Sequence, residues 1–194
     1  MKRKIKIIVG AISSVILAGL LSACSGMHQV VRSDGKSLKA QSSPEIAQAL
    51  SQRVLIVVAK DGFDDDQTYK GSGKVTTQLI QSIFKPYFKV VQVGQLSGSL
   101  EDQLKKAQSE GYQFIIVPKI LKWSDHYTFW TGVPDEVNLS LKIYNTKKRQ
   151  QVDGFTIKSE SSLTPKPNQK PQELLYQPLQ QIAKAMFNHE PSKS

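Results

Sequence analysis

The feature that most constrains the fold of this chain is an apolar run at residues 53–59 (RVLIVVA). Most of its residues are β-branched, and apolar and polar side chains do not alternate along it. A strand buried on both faces has this pattern, because helices cover both sides of a parallel sheet. We therefore expect residues 53–59 to form the first and central strand of an α/β domain.

Three helices are predicted around this strand. Apolar residues recur at helical spacing over 72–85, and the pattern ends before Pro86. Ser99 is placed to cap a second helix, and Gly111 is placed to end it. A last helix follows a proline-rich passage, and Pro178 kinks or restarts it.

Four further strands complete the predicted sheet, at residues 88–93, 112–121, 137–144 and 151–161. The last two form an antiparallel hairpin, since apolar and polar residues alternate along the first of them. Pro118 has no N–H to donate, so it lies at a bulge or on an unpaired side of its strand. The order β-α-β-α-β-β-β-α and right-handed crossovers give an α/β fold, a mixed five-stranded sheet ordered 2-1-3-4-5 with helices packed on it.

The first 23 residues have the layout of a secretory signal peptide. Four of the first six residues are cationic, no acidic residue precedes Asp34, and an apolar run follows at 7–21. That run is shorter than the about 20 residues that a spanning helix needs. The next residues, LSAC, resemble the lipobox of bacterial lipoproteins. The resemblance implies cleavage between Ala23 and Cys24 and acylation of the Cys24 thiol, and two or more acyl chains anchor a protein stably.

The single cysteine also limits the chemistry of the mature protein. Once Cys24 is acylated, no thiol remains for a disulfide, a metal thiolate or a nucleophile. Ser25 follows where, by resemblance to enterobacterial sorting rules, an aspartate would retain the protein in the inner membrane. The expected location is therefore the outer membrane, with the domain facing the periplasm and membrane lipid as one partner.

The rest of the chain divides by composition. Residues 24–52 are rich in Ser, Gln and Lys and predict a flexible tether, 53–188 predict a single domain, and 189–194 a disordered tail. The formal charge is +10, but removal of the four cations of the signal leaves 22 basic and 16 acidic residues, or +6. Together with export, this modest charge argues against a nucleic-acid partner.

An aromatic segment between the third and fourth predicted strands is the most informative candidate site. Both tryptophans of the chain lie in it, and the segment is either a lid over the sheet edge or an exposed recognition surface. In the second case, replacing both tryptophans by alanine weakens partner binding and leaves the fold intact. The candidate partner-binding residues are Trp123, Asp125, His126, Tyr127, Phe129, Trp130 and Asp135, with Asp64, Asp65 and Asp66 from an acidic loop.

Other motifs do not support a specific chemistry. The segment GSGK at 71–74 lacks the glycine spacing and the hydroxyl residue of a phosphate-binding loop. The carboxylates of 61–66 lack the alternation and terminal glutamate of a calcium loop. Asp125 and His126 are adjacent, so on an extended segment they point opposite ways, and no serine is placed as a nucleophile. We predict no catalytic residue, no metal and no cofactor.

Three segments resemble an uncharacterised family of proteobacterial lipoproteins with a domain of unknown function. They are residues 69–73 (YKGSG), residues 117–123 (VPKILKW) with Asp125, Trp130, Gly132, Pro134 and Asp135, and residues 171–175 (PQELL). The chain departs from the family pattern at Ser124 and His126, and the family implies no activity. The element order is also similar to that of curli-secretion and penicillin-binding-protein-activator lipoproteins, which implies a likeness of fold alone.

These observations predict a non-enzymatic lipoprotein that binds, or acts as an accessory to, another envelope protein. Tethering to a membrane raises the effective concentration of a weak contact. The alternative is an envelope hydrolase, or a binder of a small ligand or cell-wall glycan. It requires Asp125 with Asp135, or with the acidic loop, to face each other across a cleft at about 5–9 Å.

Overall fold

The computed structural model of the protein describes residues 26–38, 46, 51–96, 98–126, 128–162 and 169–187, apart from the side chain of Phe129. The predicted signal peptide, Cys24, Tyr127 and the predicted tail lie outside the described residues. The strands are β1 (Met27–Arg32), β2 (Arg53–Val57), β3 (Gly62–Asp64), β4 (Gln67–Tyr69), β5 (Val90–Gly94), β6 (Phe114–Ser124), β7 (Glu136–Asn145) and β8 (Gln150–Glu160). The helices are α1 (Ser72–Phe84), α2 (Leu100–Ser109), α3 (Thr128–Thr131) and α4 (Tyr176–Phe187), with 3-10 turns at Lys85–Tyr87 and Pro171–Leu175.

A six-stranded sheet in the order β1-β8-β7-β6-β2-β5 organises the domain. Strand β2 runs parallel to β5 and β6, and the other neighbouring strands are antiparallel. The predicted class, a mixed α/β sheet with helices packed on it, is confirmed. The predicted order 2-1-3-4-5 runs through β5-β2-β6-β7-β8 and is approximate, because a sixth strand lies beside β8.

This sixth strand corrects the prediction that residues 24–52 form a flexible tether. Strand β1 pairs with β8 from Met27 opposite Glu160 to Arg32 opposite Phe155. At its end, buried Arg32 donates two hydrogen bonds to Asp153, from Nε to Oδ1 at 3.1 Å and from Nη2 to Oδ2 at 2.9 Å. The sequence did not indicate this strand, because residues 24–52 are mostly polar. A long-range ion pair, rather than apolar side chains, fixes the end of the strand.

Strand β2 confirms the reasoning from the apolar run. Val54 and Ile56 face the larger core, which the sheet forms with α1 and α4. Leu55 faces a smaller core on the opposite side of the sheet with Leu104 and Ala107 of α2. Burial on both faces therefore explains why the strand is continuously apolar.

The helices begin where the sequence predicts. Ser99 and Asp102 form a capping box at the start of α2, in which each side chain accepts from the backbone N–H of the other residue. Gly73, the second residue of α1, lies so close to the segment that follows β2 that a side chain there would collide with the Ala59 carbonyl. Pro178 lies in the first turn of α4, where a missing N–H costs nothing. No helix of the described ranges is long and apolar enough to span a membrane.

One end of the sheet gathers the segments that carry the candidate residues. The pairing of β6, β7, β8 and β1 places Ser124, Glu136, Glu160 and Met27 side by side. We call this end, together with the loops that leave it, the rim. The carboxyl end of β2 is at the same end, because β2 runs parallel to β6.

Candidate functional site

The predicted acidic loop is a short hairpin that packs on the rim. Strands β3 and β4 pair with Asp64 opposite Gln67, and Asp65 adopts a positive φ of 47° in the turn between them. Gly62 lies against Trp123, so closely that an added Cβ would be 2.6 Å from the Trp123 Cβ. This close packing places the Asp64 carboxylate over the end of β6.

A charged cluster forms where the hairpin meets β6 and β7. Lys122 Nζ lies 2.6 Å from Glu136 Oε2 and 3.8 Å from Asp64 Oδ1. The Ser124 hydroxyl donates to Asp64 Oδ2 at 2.6 Å, and His126 Nε2 lies 3.8 Å from the same oxygen. Sequence reasoning missed Lys122, Ser124 and Glu136, because they join Asp64 and His126 only through strand pairing.

The cluster is accessible to solvent, and its lysine has a pKa raised above the usual value. The hydrogen bond to Glu136 raises the pKa of Lys122, and the Asp64 and Asp65 carboxylates add to this effect. The side chains of Lys122, Glu136 and Asp64 are partly exposed. Such a surface offers fixed charges of both signs to a partner, although each exposed pair contributes little to stability.

The segment 125–135, apart from Tyr127, is held by a hydrogen-bond network around buried Asp135, and we call this segment the rim loop. The Asp135 carboxylate accepts from the His126 backbone N–H at 2.7 Å, and the Asp135 N–H donates to the hydroxyls of Thr128 at 3.0 Å and Ser161 at 2.9 Å. The Thr131 hydroxyl donates to the His126 carbonyl at 2.8 Å. Asp135 is 2% exposed, so its carboxylate fixes the loop and does not face solvent.

The two tryptophans lie in different environments. Trp123 is 4% exposed and belongs to the larger core, whereas Trp130 on α3 is 82% exposed. The segment is therefore neither wholly a lid nor wholly a surface. Trp123 and Asp135 were predicted to be contact residues, but both are buried and have structural roles. Trp123 points inward because β6 extends to Ser124. Asp125 and His126 are partly exposed.

These residues are not arranged as a nucleophilic site or as a metal site. The Ser124 hydroxyl is bonded to Asp64 rather than to His126. Within the described part of the chain, no group of three or more His, Cys, Asp or Glu side chains is placed to hold a metal ion. A shallow hollow of about 460 Å³ lies beside the cluster. It is lined by residues 67–72, Val75, Trp123, Asp125 and residues 170–172.

Replacing Asp135 by alanine is expected to loosen the rim loop. The variant loses a buried, charge-assisted hydrogen bond worth about 1.5–3 kcal/mol, while the apolar core stays intact. The His126 amide should exchange with deuterium faster by at least about tenfold, because 1.4 kcal/mol corresponds to a factor of ten. Asp66→Ala on the exposed hairpin turn is the control, and equal protection of His126 in all three proteins would contradict this role.

The fold and the rim define a small mixed α/β domain with an ordered polar and aromatic edge. The chain belongs to the DUF4823 family, which is defined by a domain of unknown function. The model of this family matches residues 48–186. The predicted resemblance to an uncharacterised family is thereby confirmed. The lipoprotein character and the likeness to curli-secretion and penicillin-binding-protein-activator lipoproteins stay predictions.

Solved structures are similar to this chain at low sequence identity, and the first of those that follow shares its fold. The PelC dodecamer from Paraburkholderia phytofirmans is 10% identical with a TM-score of 0.58, over 81% of this chain and 98% of that chain. Protein XCC0632 from Xanthomonas campestris, described as DUF330, is 12% identical with a TM-score of 0.42, over 74% and 85%. No curated protein matches the sequence at a significant level.

Proposed function

We propose that the protein is a lipid-anchored, non-enzymatic accessory module of the bacterial envelope that binds another envelope protein through the rim. The acylated Cys24 holds the domain on the periplasmic side of the outer membrane. The rim loop supplies an aromatic contact, and the charged cluster supplies fixed charges around it.

The exposure of Trp130 is the observation that carries this proposal. Tryptophan is among the residues that most often dominate binding energy at protein interfaces. The network around Asp135 fixes the loop that presents Trp130, so little conformational entropy remains to be lost when a partner binds. An exposed tryptophan on an ordered loop is typical of a preformed contact surface.

The alternative of a hydrolase or glycan binder receives less support from the rim. A glycosidase needs two carboxyl groups facing a cleft, but Asp135 is buried and one of its oxygens is bonded to the His126 N–H. The hollow of about 460 Å³ is lined by Asp125 and does not include Asp135.

Replacing Trp130 by alanine is expected to reduce partner capture at least about thirtyfold, the equivalent of a loss of 2 kcal/mol at a hot spot. The measurement is quantitative co-purification after cross-linking in intact cells. Lys147→Ala is the control, because Lys147 is exposed in the turn between β7 and β8, at the end of the sheet opposite the rim. Equal capture by the wild type and both variants would refute a contact at Trp130.

Self-association is a second candidate, which the open sheet edge favours. Strand β5 is the last strand on its side of the sheet, and Val93 on it is 38% exposed. An unpaired edge strand is a template for pairing with another chain, and the similar PelC structure is described as a dodecamer.

Light scattering of the purified, detergent-solubilised protein would test this second candidate. The expected result is a mass several times that of one mature chain, which without residues 1–23 is lighter than the 21.6 kDa of the full sequence. Val93→Lys should reduce this mass. Charged residues at sheet edges oppose edge pairing. A monomeric mass at all concentrations would contradict self-association.

A further inference from the structure

The distance along the chain between the proposed anchor and the sheet is very short. Strand β1 starts at Met27, three residues after Cys24, and the described chain starts at Gly26. Two residues span at most about 7 Å of extended backbone. Whatever its conformation, the chain therefore brings an acyl group on Cys24 close to Gly26.

Gly26 lies directly beside the rim loop. A Cβ built on Gly26 would be 3.0 Å from the Ser161 Cα. The Ser161 hydroxyl is 3.2 Å from the Thr128 hydroxyl, and Trp130 follows Thr128 on the same short helix. The point at which the chain leaves for Cys24 is thus part of the surface that presents Trp130.

We propose that the rim faces the bilayer, and that Trp130 therefore meets its partner at the level of the lipid headgroups, on the aqueous face of a membrane-embedded protein. This inference rests on the proposed function, since it requires acylation of Cys24 and a protein partner for Trp130. In this proposal the domain lies close to the membrane, whereas a long tether at residues 24–52 would have held it away from the membrane.

The charges of the rim favour a protein over the lipid itself. Surfaces that bind anionic lipids carry clusters of lysine and arginine. The rim instead mixes the carboxylates of Asp64, Asp66 and Glu160 with the exposed cations of Lys60 and Lys70, and its Lys122 is paired with Glu136. Because its charges are of both signs, the rim is not a cluster of cations, and it is the anchor that holds Trp130 near the headgroups.

The opposite end of the sheet provides a sharp contrast. The turn between β7 and β8 carries Lys147, Lys148 and Arg149. The 10 residues of β7 separate this turn from the rim, which at about 3.3 Å per residue is about 30 Å. If attraction to anionic lipid set the orientation, the basic turn would face the membrane. If the anchor sets the orientation, the rim faces the membrane instead.

Fluorescent probes on introduced cysteines distinguish these orientations. Cys24 is the only cysteine, so once it is acylated, Val133→Cys on the rim loop and Lys147→Cys on the turn each give one reactive thiol. The full lipidated protein is reconstituted into vesicles of phosphatidylethanolamine and phosphatidylglycerol that carry a headgroup-attached quencher. We expect the probe at 133 to be quenched at least about twofold more than the probe at 147. Equal or reversed quenching overturns the orientation.

Two further measurements identify what Trp130 meets. A photocross-linker on Val133→Cys should yield, in intact cells, a cross-linked peptide from the aqueous face of a membrane-spanning protein. A peptide from a soluble protein overturns the inference.

The second measurement uses lipids with brominated acyl chains, which should quench the tryptophan fluorescence of the wild type and of Trp130→Phe equally. Stronger quenching of the wild type would show that the indole enters the bilayer, which also overturns it. A protein that lacks acyl chains and fails to enter vesicles would instead refute the proposed anchor.

Discussion

Replacing Arg32 by alanine is expected to destabilise the domain by about 3–5 kcal/mol, the usual cost of leaving a buried charge without its partner. The guanidinium and the Asp153 carboxylate are both almost fully buried, and they share two hydrogen bonds. Because Arg32 closes the pairing of β1 with β8, the variant should also expose the edge of the sheet. Urea denaturation gives the free energy of unfolding for this comparison.

The pH dependence of this variant has a definite sign. Burial raises the pKa of Asp153, while the Gly154 N–H and the Arg32 guanidinium oppose that rise. Without the guanidinium the pKa rises further in the folded state. A carboxyl group with a raised folded pKa favours folding at low pH and opposes it as the pH rises through that pKa. The deficit of Arg32→Ala should therefore be largest at neutral pH and shrink in acid.

A double variant controls for the loss of packing around the pair. Arg32→Met with Asp153→Leu removes both charges and keeps apolar volume, which is often neutral or stabilising for buried pairs. We expect it to regain most of the lost stability. A double variant as unstable as Arg32→Ala would mean that the charge of Asp153 is not the cause.

Replacing Trp123 by alanine is expected to cost about 3–5 kcal/mol, as for other buried aromatic residues. Trp123 fills the core under the β3–β4 hairpin and contacts the Gly62 position. The cavity left behind should loosen the hairpin as well as the core, so the Asp64 carboxylate should lose its fixed position over Ser124.

Trp130→Ala is the matched control for this effect, because it makes the same substitution seven positions along the chain on a residue 82% exposed. Surface substitutions usually change the free energy of unfolding by no more than about 0.5 kcal/mol. Thermal unfolding of both variants measures the difference. Similar losses at the two positions would contradict the assignment of Trp123 to the core and Trp130 to the surface.

The sequence was sufficient to predict the parts of the fold that depend on local patterns. The apolar run predicted strand β2 and its burial on both faces, although β2 lies next to the edge strand β5 rather than at the centre of the sheet. The alternation along 137–144 predicted the β7–β8 hairpin, and Ser99 and Gly111 predicted the ends of α2. Each of these patterns is written within a few residues of the element that it predicts.

What could not be predicted depends on contacts between distant parts of the chain. Strand β1 has a mixed composition (MHQVVR), and Asp153, the partner of its Arg32, lies 121 residues away. Predicting β6 to end at 121 rather than Ser124 assigned Trp123 to the loop. A register shift between Ile120 and Lys122 further obscured which side chains point inward.

The candidate site shows the same limit. The aromatic content of 123–135 predicted that this region matters, and Trp130 is exposed as a contact residue must be. The network that orders the rim loop joins Asp135, which precedes the β7–β8 hairpin in the chain, to Ser161, which follows it. A serine at that position carries no local pattern, so sequence reasoning had no signal for it.

The most direct test of the whole account is the intact mass of the protein purified from cell membranes. We expect a mature chain that begins at Cys24, after loss of residues 1–23, and that carries the added mass of its acyl chains. A chain that still begins at Met1, or an unmodified cysteine at position 24, would contradict both the membrane anchor and the orientation of the rim that depends on it.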